Sequence, residues 1–335
     1  MENSLGRIAV LGGGSWATAL AKLLLNNTDR INWYMRRDDR IEEFLKCSHN
    51  PVYLSDVTFD TDRIDFTSDI NRACADADTI VVAVPSPYFK GHADKISVDL
   101  SGKNIVSAVK GIVPDDNMIV TDYFASRFGV AEDNLLVIGG PCHAEEVALD
   151  RLSYLTIGCH KTSKAREFAS LIAGKRMKTI ISRDVDGIEY GAVLKNVYAI
   201  AAGIVSGLKT GDNFMAMLVC NAIREMGRFV DRISPMDDRD IDRSAYLGDL
   251  LVTAYSRFSR NHNFGSMIGK GYSVKVAKME MEQVAEGYYG TNCIHQINSR
   301  EELRVSMPIL DAVYSILYED RNPRKAINAI TNTFS

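Results

Sequence analysis

The sequence predicts an α/β protein in two parts: an N-terminal doubly wound parallel sheet and an all-α C-terminal domain. Three observations carry this. Short apolar runs alternate with helical stretches through the first half, a glycine-rich loop directly follows the first run, and strand signals fade after about residue 184. Continuous apolar strands alternating with helices require a parallel sheet covered on both faces. The 335-residue length exceeds one ordinary core and suits two domains, expected at residues 1–186 and 187–335.

The elements follow in order. Residues 7–11 (RIAVL) read as a buried strand and 15–25 as a helix with Ala, Leu and Lys at helical spacing. Residues 31–35 (INWYM) form a second strand and 38–47 a second helix; 79–84 (TIVVAV), 104–108 and 135–138 are further strands. In the second half, residues 187–208 are apolar nearly all round, the mark of a buried helix. Helices are also expected at 213–230, 243–256, 273–282, 291–297 and 308–318.

The loop Gly12-Gly13-Gly14-Ser15-Trp16-Ala17 fits G-x-G-x-x-A between a strand and a helix, the context that a Rossmann dinucleotide fingerprint needs. Gly12 makes the tight turn, Gly14 lets the backbone approach a pyrophosphate, and the helix N-terminus holds the anion. The second strand runs into Arg36-Arg37, with no acidic residue from 31 to 37. An acidic residue there would bind an NAD ribose, whereas two guanidiniums suit the 2′-phosphate of NADP.

Lys195 lies inside the long apolar helix, where an ammonium is costly unless paired or used. Asp249 and Thr253 fall one turn apart on one helical face, and Ser259-Arg260-Asn261 reads as a short polar segment able to bind a phosphate. Together they offer cations, a carboxylate and a hydroxyl, as a small phosphorylated carbonyl substrate needs. In the first half, Val84-Pro85-Ser86, Val109-Lys110-Gly111 and the segment GGPCHAEE from Gly139 each follow a strand. That is where a doubly wound fold puts its ligand crevice, so Lys110 is a second candidate cation. His143 reads as a packing or hydrogen-bonding residue.

Hydrophobic residues make up 46% and charged residues 24%, with net charge −4. This composition is that of an ordinary soluble protein and argues against general nucleic-acid binding. No signal peptide and no uninterrupted apolar stretch of membrane-spanning length is read. The six cysteines are scattered without a C-x-x-C pair, so a cytoplasmic protein with reduced thiols and no metal is expected.

At this point the segments GGGSWATALA, WYMRR, NPVYL, VPS, VKGI, GGPCHAEEVA, GAVLKNVYAIAAGI, GDN, GDLLVT, SRN and AEG stand in order along the chain. In them the chain resembles the NAD(P)-dependent glycerol-3-phosphate dehydrogenases, most closely the bacterial type, over nearly its whole length. The resemblance implies interconversion of dihydroxyacetone phosphate and sn-glycerol 3-phosphate with NADP or NAD as coenzyme, supplying glycerol 3-phosphate for phospholipid synthesis. It implies that Gly12, Gly14, Ser15, Trp16, Arg36, Arg37, Lys110, Ala144, Arg260, Val284 and Glu286 bind coenzyme. Gly140, Cys142, Thr253, Ser259, Arg260 and Asn261 would surround the substrate with Lys110, Lys195 and Asp249. Catalysis would fall to Lys195 as proton donor or acceptor, supported by Lys110 and Asp249. A homodimer without nucleic-acid or membrane partners is expected.

The chain departs from the family in two places. Cys142 stands where Ser or Asn is commoner, and a thiol donates weakly; Ala17 replaces the third fingerprint glycine, which the fingerprint tolerates. Two other readings compete. A β-hydroxyacid dehydrogenase also uses a lysine but binds a carboxylate, and the SRN segment after GDLLVT favours a phosphate. A non-catalytic dinucleotide sensor would not need Lys195, Asp249 and Arg260 together.

Overall fold

The computed structural model describes residues 5–256, 258–281, 283 and 285–334. The chain divides into two compact units. The first runs to Val109 and resumes over Val120–Val185; the second comprises Lys110–Ile119 and the chain from Asp186 onward.

The first unit is built on β1 (Ile8–Leu11), β2 (Ile31–Tyr34), β3 (Ile64–Thr67), β4 (Thr79–Val82), β5 (Asn104–Ser107), β6 (Leu135–Gly139), β7 (Ser153–Cys159) and β8 (Met177–Ser182). They form one sheet in the order β3-β2-β1-β4-β5-β6-β7-β8. Every residue of β1, β4 and β5 is buried, as expected for strands covered on both faces. Helices α1 (Ser15–Leu25), α2 (Asp38–Cys47), α3 (Ile70–Ala75), α4 (Ser86–Ala93), α5 (Val120–Phe128), α6 (Ala144–Ala148) and α7 (Thr162–Ile172) connect the strands.

The sheet is not wholly parallel as expected, because β7 runs antiparallel to β6. The intervening helix α6 has only five residues. The chain therefore doubles back instead of making the long crossover that a parallel neighbour needs. Strands β3, β7 and β8 add to the five read from sequence.

Chain order reverses between β1 and β4, and ligands of doubly wound sheets bind beyond the strand ends at such a point. Leu11 lies in register with Tyr34 on one side and Val82 on the other. The glycine loop, Arg36 and the residues after β4 therefore emerge at one end of the sheet.

The second unit is helical: α8 (Val185–Gly207), α9 (Asp212–Ile233), α10 (Asp249–Tyr255), α11 (Arg260–Gly269), α12 (Val274–Glu280), α13 (Glu286–Asn298), α14 (Pro308–Tyr318) and α15 (Pro323–Ile330). The helix expected over 243–256 begins instead as a wide turn, Ser244–Gly248, before α10. By length and composition α8 could cross a membrane, contrary to the sequence reading, but its most apolar stretch is wholly buried in the protein.

Helices α8 and α11 touch backbone to backbone. A Cβ on Gly203 would stand 2.0 Å from the His262 carbonyl oxygen, and one on Gly265 2.1 Å from that of Ile200. Gly207 and Gly269 extend the contact one turn on. Only glycine allows this approach, and it fixes the start of α11 against the helix carrying Lys195.

Glu225 of α9 is buried to 1% exposure. Its two oxygens accept from the Ile309 and Leu310 amides, each at 2.9 Å. These N–H groups open α14 and have no partner within that helix. A carboxylate from a neighbouring helix thus caps it.

Candidate active site

The glycine loop of the first unit has the shape its sequence demands. Gly12 has φ +129°, and a Cβ there would meet the Ala83 carbonyl oxygen at 2.6 Å. Its own carbonyl accepts from Trp33 Nε1 at 2.7 Å. Gly14 precedes α1, and nothing stands within 4 Å of where its Cβ would be. The unencumbered Gly14 and the first amides of α1 form a cradle that fits a pyrophosphate.

Buried Asn50 braces this loop. Its Nδ2 donates to the Gly13 carbonyl at 3.1 Å and to Thr18 Oγ1 at 2.8 Å. Its Oδ1 accepts from the amides of Val52 and Tyr53. The segment NPVYL thereby acquires a physical role that sequence reading did not assign.

Ser15 is buried and Trp16 half-buried at the start of α1. Arg36 and Arg37 are exposed just beyond β2. Gly140 follows β6 with φ +106°, and a Cβ there would stand 3.2 Å from the Tyr154 carbonyl oxygen. Cys142 and Ala144 are buried in the segment that opens α6.

The second unit gathers the charged residues. Lys195 on α8 and Asp249 at the start of α10 are exposed by only 4% and 1%. Lys195 Nζ lies 2.5 Å from Asp249 Oδ1, and Lys110 Nζ lies 3.7 Å from Asp249 Oδ2. Two lysines share one carboxylate. Burial lowers the Lys195 pKa to about 8; Asp249 pulls it upward and Lys110 adds to the fall.

Neighbouring hydrogen bonds fix these groups. Asn196 Nδ2 donates to the Lys110 carbonyl at 2.7 Å. Thr253 Oγ1 donates to the Asp249 carbonyl at 2.6 Å, so its proton is engaged and an oxygen lone pair remains for a ligand. Asn196 was not singled out from the sequence; its place beside Lys195 was the only signal.

The polar segment Ser259-Arg260-Asn261 forms the start of α11. Ser259 is its N-cap, with Oγ accepting from the His262 amide at 3.2 Å. The Arg260 guanidinium has no hydrogen-bond or ion-pair partner among the described residues. Buried Asn261 accepts from the Gly287 amide at 2.9 Å. A Cβ on Gly287 would meet the Asn196 carbonyl oxygen at 2.6 Å. Close packing thus connects Lys110, Asn196, Gly287 and Asn261. Glu286 opens α13, and Val284 lies outside the described residues.

Such an arrangement can stabilise an oxyanion, exchange a proton near neutral pH and hold an anionic group. Two family models match the chain: the NAD-dependent glycerol-3-phosphate dehydrogenase N-terminus over residues 7–165 and the corresponding C-terminus over 184–328. The chain is 33% identical over 326 residues to the glycerol-3-phosphate dehydrogenase (NAD(P)+) of Lysinibacillus sphaericus, covering 97% of this chain and 95% of the relative. It is 33% identical over 322 residues to that of Prosthecochloris aestuarii, covering 96% of each. Among solved structures, glycerol-3-phosphate dehydrogenase from Coxiella burnetii aligns with TM-score 0.87 and 28% identity over 97% of this chain and 98% of that one. Matched in both halves by one family's models and nearly end to end by whole relatives, the chain belongs to the NAD-dependent glycerol-3-phosphate dehydrogenase family.

Proposed function

We propose that the chain interconverts dihydroxyacetone phosphate and sn-glycerol 3-phosphate, with NADP or NAD as coenzyme. The observation that carries this reading is the buried Lys195–Asp249 pair with Lys110 beside it. The coenzyme, when bound, supplies the hydride to C2 in reduction and takes it back in oxidation. Lys195 gives its proton to the C2 oxygen during reduction, and Lys110 adds positive charge where the oxyanion develops. In oxidation a neutral Lys195 takes the hydroxyl proton; a pKa of about 8 leaves both forms populated near neutrality. Asp249 orients Lys195 and balances part of the charge.

Arg260, whose guanidinium has no partner among the described residues, holds the substrate phosphate, with Ser259 and Asn261 beside it. Gly140, Cys142 and Thr253 complete the substrate's surroundings. Gly12, Gly14, Ser15, Trp16, Arg36, Arg37 and Ala144 hold the coenzyme from the first unit. Lys110, Arg260, Val284 and Glu286 are assigned to the coenzyme as well. We assign the dinucleotide to residues 1–186 and catalysis to the helices of 187–335.

The product would feed phospholipid synthesis in the cytoplasm. Among the described residues the six cysteines are free thiols. A homodimer is the assembly this reading expects.

The test is oxidation of NADH and NADPH, assayed separately, with dihydroxyacetone phosphate as acceptor. Turnover with a β-keto acid but not with dihydroxyacetone phosphate overturns the assignment in favour of a hydroxyacid dehydrogenase.

A further inference from the structure

The two arginines after β2 are not equivalent. Arg36 has no hydrogen-bond or ion-pair partner among the described residues. Arg37 folds onto Asp39 in the first turn of α2: Nε donates to Oδ1 at 2.8 Å, and Nη2 pairs with Oδ2. This two-pronged grip is the geometry by which a guanidinium holds a phosphate. The Asp39 carboxylate therefore occupies the fork that a ribose 2′-phosphate would need. Both partners are more than half exposed, at 55% and 60%, so the pair is weak and a phosphate dianion can displace the carboxylate.

We propose that Asp39 sets the coenzyme preference by competing with the ribose 2′-phosphate for the Arg37 guanidinium. This rests on the reading of Arg36 and Arg37 as coenzyme residues. With NADP, Arg37 swings from Asp39 to the phosphate while Arg36 contributes from the start. With NAD, Arg37 stays on Asp39, and the site does not present two uncompensated guanidiniums to a bare ribose. The exchange narrows the gap between the coenzymes and lets one site accept both. An acidic residue on the second strand itself would instead hydrogen-bond the ribose hydroxyls and repel the phosphate.

The test is a double-mutant cycle on the full-length enzyme, read as KM and kcat for each coenzyme. Asp39→Asn keeps the size of the side chain but not its charge. It lowers the NADPH KM about threefold to fivefold, the scale of an exposed ion pair. The NADH KM and both kcat values stay within about twofold on the same scale. In an Arg37→Ala background the gain disappears, since the two residues act as a coupled pair. A gain that persists there, or equal shifts for both coenzymes, overturns the proposal. The underlying reading is tested independently by Arg36→Ala with Arg37→Ala. If that double variant raises the NADH and NADPH KM equally, the arginines do not read the phosphate, whatever Asp39 does.

Discussion

The Lys195 ammonium and the Asp249 carboxylate meet at 2.5 Å, from positions 54 residues apart, with almost no access to water. Burial and attraction oppose each other on one proton, and burial prevails, leaving Lys195 at about 8. In the proposed mechanism reduction needs the protonated amine, so its rate falls as pH rises through about 8, while oxidation gains over the same interval. Asp249→Asn removes the upward pull. The limb of each pH–rate profile then shifts to lower pH, and kcat falls about 100-fold. An unmoved limb separates Lys195 from the proton that controls the rate.

Lys195→Met retains an unbranched side chain in the buried helix but cannot exchange a proton. Turnover falls about 10²–10⁴-fold while NADPH still binds. Single-turnover kinetics and fluorescence titration report the two separately. A variant keeping more than about a tenth of the wild-type rate excludes Lys195 as the acid–base group.

Arg260→Lys keeps the charge at the start of α11 and loses the planar fork. For dihydroxyacetone phosphate, KM rises and kcat falls together, because phosphate binding helps position C2. Unphosphorylated dihydroxyacetone is a poor substrate, and the change scarcely alters its kcat/KM. Proportional losses for both substrates would move the phosphate anchor elsewhere, with Lys110 the next candidate.

Gly265→Ala drives a methyl group toward the Ile200 carbonyl oxygen, 2.1 Å away. Overpacking of this kind destabilises by about 1–3 kcal/mol. It also pushes Arg260 and Asn261 away from the Lys195 helix, and a misplacement of about 1 Å lowers kcat about 100-fold. Chemical denaturation and steady-state kinetics should register both effects; normal activity would show that the crossing does not set the site's geometry.

Burial raises the Glu225 pKa from 4.5 to about 7, while its two backbone hydrogen bonds pull the other way. The folded state therefore binds this proton more tightly than the unfolded state does. The stability this contributes is fully present below about 4.5 and is lost as pH rises through about 7. Relative to Glu225→Gln, which does not titrate, the wild type loses up to about 3 kcal/mol between these limits. Denaturant midpoints of both proteins at pH 5 and pH 8 measure it. A constant difference would show that Glu225 keeps one charge state throughout.

The central strands were legible because β1 (IAVL) and β4 (TIVV) are buried throughout and read as apolar runs, and β5 (NIVS) keeps an apolar centre. Strand β3 (IDFT) carries a charge at a sheet edge, and β8 (MKTIIS) has three polar residues among its six, without a regular alternation. Neither is long enough to outweigh its polar positions. Helix α11 was hidden because its contact with α8 requires glycines and its first residues are polar. Lys195 stood out as a charge inside an apolar helix. Glu225 did not, since the amides it caps lie 84 and 85 residues further on. Asn50 was visible as part of a recognisable segment, but its hold on the glycine loop exists only once the chain has folded.

Lys110–Ile119 belongs to the second unit, although its neighbours in sequence on both sides belong to the first. During synthesis this segment leaves the ribosome well before α8, which carries the Asn196 that grips the Lys110 backbone. Domains generally fold as units in the order they are made, yet this early strip of chain belongs to the unit completed later. Cutting the gene at residue 185 would divide the chemistry unevenly. The downstream product would carry Lys195 and Asp249 without Lys110, and the upstream product would carry Lys110 without the helices that hold it.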